Sequence, residues 1–204
     1  YFGGEFSAGY FTRIGYFGIG AGLGSYLNQS GGQFYRTTLS ARITYFTNLM
    51  GSGRYPVRQF LTLNATRGWN RLDGFRETLE FNSVADLRGM KEEVYGTNRM
   101  VLNTETVVFT PWHIAQFKMA MFGFADFGLI GDNGNIFKNN FYTTFGLGVR
   151  LRNERLVFST IQLRLGVALG KGGWADCRYF QASNGTRMEQ YRYLPSRPEI
   201  VRFR

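Results

Sequence analysis

Few residues in this chain are equipped for catalytic or metal chemistry. Its 204 residues include one His, His113, and one Cys, Cys177. A Cys-based zinc site needs several ligands at close spacing, and a disulfide needs a second Cys, so neither is expected. His113 follows Pro111-Trp112 in a predicted short turn, and no Ser occupies a Gly-x-Ser-x-Gly elbow. The row Gly18, Gly20, Gly22, Gly24 fails the Gly-x-Gly-x-x-Gly spacing of a dinucleotide loop and has no helix after it. It reads instead as a glycine face serving barrel curvature or close approach of another segment. No catalytic residue, metal or cofactor is expected, and the chain is not read as an enzyme.

What remains is the chemistry of charge. Lys and Arg number 24 against 14 Asp and Glu, a formal net charge of +10. Nucleic acid is a poor match, because the basic residues are scattered and no basic helix or stacking platform gathers them. Arg42, Arg150 and Arg164 are expected on a lumen face. A second centre is Leu87-Arg88-Gly89-Met90, within a long connection over residues 70–98. An Arg on a loop long enough to fold back into a lumen is costly to bury unless a carboxylate meets it. By alternation, Glu105 shares a face with Arg99 and Asn103, and Asp126 shares one with Lys118 and Phe124. Two adjacent strands thus each offer an inward carboxylate to a returning loop. On the residues alone the alternative stays open that Arg88 is an exposed loop charge and Glu105 and Asp126 are ordinary polar residues of a lumen. Gly89 would let the loop turn tightly beside Arg88.

The elements that must position these residues are strands. Hydrophobic residues make up 44% and aromatics 17%, with 27 Gly and only 4 Pro. Period-2 alternation dominates. Leu39, Ala41, Ile43, Tyr45 and Thr47 oppose Ser40, Arg42, Thr44, Phe46 and Asn48. Phe145, Leu147, Val149 and Leu151 oppose Gly146, Gly148, Arg150 and Arg152. Ile161, Leu163, Leu165, Val167 and Leu169 oppose Thr160, Gln162, Arg164, Gly166 and Ala168. Many such segments exceed the roughly 5–6 residues usual for a soluble strand and suit the roughly 9–11 of a tilted bilayer-spanning one. Connections alternate: short at 12–15, 51–56, 110–115 and 152–155, long at 28–35, 70–98, 131–140 and 170–189. Short turns on one rim and long loops on the other predict an all-β, antiparallel transmembrane β-barrel of the outer-membrane type. Tyr10, Phe11, Tyr45, Phe46, Trp69, Trp112 and Phe117 are candidates for interfacial girdles.

About nine strands are predicted, whereas bacterial single-chain barrels are even-numbered. Tyr1 falls directly into a strand, so the N-terminal part of the barrel is expected to be missing. At the other end a short closing strand over 199–203 is expected, interrupted upstream by Pro195 and Pro198.

The motifs in the second half resemble the bacterial surface antigen superfamily: BamA-type assembly factors, TamA-like proteins and two-partner-secretion transporters. Leu87-Arg88-Gly89-Met90 resembles the Val-Arg-Gly-aromatic signature of that superfamily's sixth extracellular loop, with Leu87 and Met90 as the departures. Phe124-Ala125-Asp126-Phe127-Gly128 resembles its Phe-x-Asp-x-Gly strand, and Gly146-Leu147-Gly148-Val149-Arg150 its Gly-x-Gly-x-Arg strand. The resemblance spans residues 87 to about 166. It implies the C-terminal half of a sixteen-stranded barrel in the bacterial outer membrane, with the loop Arg pinned inside by carboxylates on these strands. It also implies a function: inserting or translocating other proteins. Outer-membrane lipid, lipopolysaccharide and nascent outer-membrane proteins would be partners, with periplasmic domains and lipoproteins as further candidates. Two alternatives remain open. One is a passive channel lined by Arg42, Arg67, Arg150 and Arg164 that prefers anions, or a purely structural barrel. The other is an anchor or export barrel for an upstream hydrolase.

Overall fold

The computed structural model describes residues 1–27, 34–51, 53–70, 79–81, 86–114, 116–153, 160–171, 173–175 and 179–184. The expected closing strand over 199–203 lies outside them, as do the first residues of the strand expected from Leu156. The strands are β1 (Phe2–Thr12), β2 (Gly15–Leu27), β3 (Phe34–Thr47), β4 (Val57–Trp69), β5 (Leu79–Glu80), β6 (Tyr95–Gly96), β7 (Asn98–Ile114), β8 (Phe117–Gly131), β9 (Asn140–Asn153), β10 (Ile161–Gly170), β11 (Gly173–Trp174) and β12 (Phe180–Asn184). Ten of them form one antiparallel sheet in the order β1-β2-β3-β4-β7-β8-β9-β10-β11, with β12 also on β10. The chain is therefore an all-β protein built on an antiparallel meander. Among the described residues the sheet is open: β1 lies at one edge and the β11 and β12 partners of β10 at the other.

Register shows how the alternation is used, because directly opposed residues in an antiparallel ladder project to the same side. One row runs Gly18, Thr44, Thr62, Asn103, Asp126, Thr144, Ala168. The next, on the same face, runs Tyr16, Phe46, Phe60, Glu105, Phe124, Gly146, Gly166. On the opposite face one row runs Ile19, Ile43, Leu63, Leu102, Phe127, Thr143, Leu169. The polar residues thus gather on one side, together with glycines and a belt of aromatics, while the other side is mostly apolar. Ile19, Leu39, Ile43, Met121, Phe127, Phe145, Leu147 and Leu165 of the apolar side are exposed.

The polar side is covered between residues 86 and 98 by a strap, part of the long connection from β4 to β7. The short ladder β5–β6 closes within that connection. Its end is tied to the rim of the sheet by Thr97 N donating to Gly131 O at 3.1 Å and Gly68 N donating to Thr97 O at 2.8 Å. Two apolar clusters pack on this face. Toward the short turns lie Phe46, Phe60, Val107, Phe122 and Phe124. Toward the long connections, Leu87 and Met90 of the strap pack with Ile130, Tyr142, Ala168 and Ala175.

Several expectations change. Phe46 is not a girdle residue: it is buried on the strap face, its ring stacked 5.0 Å from that of Tyr16. The predicted turn at 110–115 is mostly strand, for β7 runs to Ile114. The ladder breaks only between Phe109 and His113, where Pro111 has no N–H to give it. The predicted loop at 170–189 contains β12, paired with β10 from Ile161↔Asn184 to Leu165↔Phe180. Among the described residues Gly18, Gly20 and Gly22 meet β1, β2 and β3, not the strap, whereas Gly128 of β8 does lie against it.

Ile130 is fully buried beneath the strap. Ile130→Ala is expected to cost about 2–4 kcal/mol by leaving a cavity there. Equilibrium unfolding would read this as a lower denaturant midpoint at unchanged slope.

Candidate functional site

The site begins with a turn. Met90 N donates to Leu87 O at 3.2 Å, and Gly89 closes the turn at φ 85°, a conformation an L side chain rarely adopts. Leu87 and Met90 flank the turn and both are buried in the cluster over β8 and β9. They act as apolar anchors, holding the Arg88 side chain down against the sheet. The approach requires Gly128 beneath: a Cβ there would lie 2.7 Å from Phe81 Cζ and 3.0 Å from Leu87 Cδ1.

Arg88 is 4% exposed and Asp126 is fully buried. The guanidinium grips Asp126 as a fork, Nε donating to Oδ2 and Nη2 to Oδ1, each at 2.7 Å. The Arg88 backbone N–H also donates to Asp126 Oδ2 at 3.2 Å. Nη1 donates to Glu105 Oε2, and Nη2 to Thr104 O at 3.1 Å. The Phe124 ring lies beneath, its centroid 4.0 Å from Cζ, adding a cation–π contact. Burial alone would lower the pKa of this guanidinium, but the charges and hydrogen bonds of Asp126 and Glu105 outweigh it and raise it above the ordinary value. Arg88 therefore stays charged at any workable pH.

The carboxylates are held from the sheet side as well. Asp126 accepts from Asn103 Nδ2 at 2.9 Å and Thr144 Oγ1 at 3.3 Å. Glu105 Oε1 pairs with Arg150 Nη2 at 2.6 Å. Farther along the strap, Asp86 Oδ2 pairs with Arg99 Nη1 at 2.8 Å, and Asp86 O accepts from Asn103 Nδ2 at 2.6 Å. The arrangement is an electrostatic latch, in which one cation from the strap is shared by carboxylates of two adjacent strands.

Arg88, Gly89, Glu105 and Asp126, all named from the sequence, meet in one cluster. The three basic candidates part company. Arg42 is exposed, its Nε donating to Asn64 Oδ1 at 2.9 Å. Arg150 is buried in the latch, its Nε donating to Gln162 Oε1 at 3.1 Å and its Cζ 4.4 Å from the Phe122 centroid. Arg164 is buried too, its Nε donating to Gln181 Oε1 at 3.0 Å. Arg67 stands opposite Leu39 on the apolar face, so it does not line the polar side with the others. Sequence reasoning missed Asp86, Thr144, and Arg150 as a partner of Glu105. Thr144 depends on which residue opposes Asp126 across strands, Arg150 on the offset between β9 and β7 two strands away, and Asp86 on where the strap comes down; alternation within one strand encodes none of these.

No family model matches this chain, and no curated protein matches it. Fold and site together define an all-β sheet protein with a long connection latched onto its polar face.

Asp126→Asn keeps the shape of the acceptor and removes its charge, leaving a buried Arg88 with Glu105 as its remaining anionic partner in the described latch. The expected cost is about 3–5 kcal/mol, measured by equilibrium unfolding. Protease cleavage within 86–98 is expected to quicken as the strap unseats.

Proposed function

We propose that the chain is part of an outer-membrane β-barrel of the bacterial surface antigen superfamily, which inserts other proteins into that membrane or moves them across it. On this reading the segment is the C-terminal half of a sixteen-stranded barrel, and the strap is its sixth extracellular loop folded into the lumen. The observation that carries the reading is the seating of Arg88 on Asp126 and Glu105. The resemblance implied a loop Arg pinned by carboxylates on these strands, and the geometry agrees with it.

The apolar face supports the membrane part of the proposal. Monomeric soluble proteins rarely expose contiguous apolar patches beyond a few hundred Å², yet here exposed apolar side chains recur from β1 (Phe6) to β12 (Phe180). No helix among the described residues is long and apolar enough to cross a membrane, so the crossing would be made by strands. Nascent outer-membrane proteins would be the substrates. An edge strand with open N–H and C=O groups would template the incoming strand by β-augmentation. Lipid and lipopolysaccharide would surround the barrel, with periplasmic domains or lipoproteins delivering substrate.

A passive anion-preferring pore finds less support. Of the four arginines it needs, Arg150 and Arg164 are buried and engaged, and Arg67 faces the other way.

Arg88→Ala is expected to lower outer-membrane protein assembly or secretion in cells while the mutant protein still folds and accumulates. Arg88→Lys should restore it only in part, since an ammonium cannot fork onto Asp126. Full activity of a normally accumulating Arg88→Ala protein would remove the role given to the latch. Ile43→Arg, in the middle of the apolar face, is expected to cost about 2–4 kcal/mol in lipid bilayers. Unfolding titrations in vesicles would measure it, and a negligible cost would count against lipid contact.

A further inference from the structure

Glu105 is held by two guanidinium groups, one on the strap and one on the sheet. Its Oε2 accepts from Arg88, on the strap, and its Oε1 from Arg150, on β9. Arg150 is 5% exposed, and its Nη1 has no hydrogen-bond partner among the described residues. A buried guanidinium N–H without an acceptor is costly, so Arg150 has an unused donor while the strap is seated. Its other contacts, to Gln162 of β10 and the Phe122 ring of β8, come from the sheet and would survive if the strap left.

We propose that Arg150 competes with Arg88 for Glu105 and so sets how readily the strap unlatches. With the strap seated, the two cations divide the carboxylate and repel one another across it. With the strap withdrawn, Oε2 is free, and Arg150 can turn Nη1 to it and hold Glu105 by a two-bonded fork. Glu105 then never stands as an unpaired buried charge, which is the state that would otherwise make unlatching prohibitive. Asp126 keeps Asn103 and Thr144 as donors in the same event. Arg150 is thus a positioning residue that acts through Glu105. The competition follows from these contacts and holds whatever the protein transports.

The competition predicts an unusual sign. Removing one member of a buried ion cluster ordinarily loosens it, whereas removing Arg150 should tighten the strap, because Arg150 stabilises the unlatched state more than the latched one. Met90 is buried in the strap and reports its opening. In full-length purified protein with Cys177 replaced by Ser, a Met90→Cys thiol is labelled with a maleimide under native conditions, where the rate follows the fraction open. Arg150→Gln is expected to slow labelling roughly tenfold, and Arg88→Ala to speed it. If Arg150→Gln does not fold, Arg150→Lys serves: a lysine holds one oxygen but cannot fork, so slower labelling is again expected. Labelling that is unchanged or faster in the folded Arg150 variant overturns the competition and leaves Arg150 as one more prop of the latch. The readout is made on purified protein, so failure of the assembly phenotype in cells would not be confused with failure here.

Discussion

A guanidinium carried on a long connection is buried against two carboxylates, and the rest of the strap face is arranged around that fact. Charge transfer out of water is tolerable only when every partner is in place. Arg88 therefore needs Asp126 and Glu105 in register on neighbouring strands, Asn103 and Thr144 to satisfy Asp126, and Phe124 beneath its plane. The two apolar clusters lie on either side of this charged layer. They exclude water from it and so strengthen each contact inside.

The strap is held by complementary means. Leu87 and Met90 supply apolar area, which is non-directional and brings the segment down onto β8 and β9. The Arg88 fork supplies direction and fixes which residue of the strap meets which strand. Gly89 and Gly128 permit the fit, one by its φ of 85° and the other by its missing side chain. Asp86 and Arg99 add a partly exposed pair beside the latch, where an ion pair contributes little energy but restrains the segment.

On the proposed reading, this design explains why a transport barrel would carry so much buried charge. A strap held only by apolar contacts would slide, and one held by a single isolated ion pair would leave an unpaired charge whenever it moved. Sharing Glu105 between a residue of the strap and a residue of the wall allows the contact to be firm and still exchangeable. The apolar face on the other side of the sheet places no such demand, since lipid would satisfy it without specific partners.

Much of this was legible in the sequence, for a physical reason: a strand has a side-chain period of two, and a face buried in anything leaves that period in the residues. The alternation in β2, β3, β9 and β10 identified those strands and their two faces, and a weaker form of it marked β8. Arg88 and Asp126 stood out through motifs that resemble those of a known superfamily, and alternation placed Glu105 on an inward face, while the residues alone left their contact open. The tertiary structure decided what alternation cannot carry. It set the register that opposes Thr144 to Asp126 and continued β7 through Pro111. It added β12 within an expected loop, turned Phe46 into core, and gave Arg150 to Glu105. Those outcomes depend on offsets between strands. An offset is chosen by packing across the whole sheet, so no single segment of the sequence contains it.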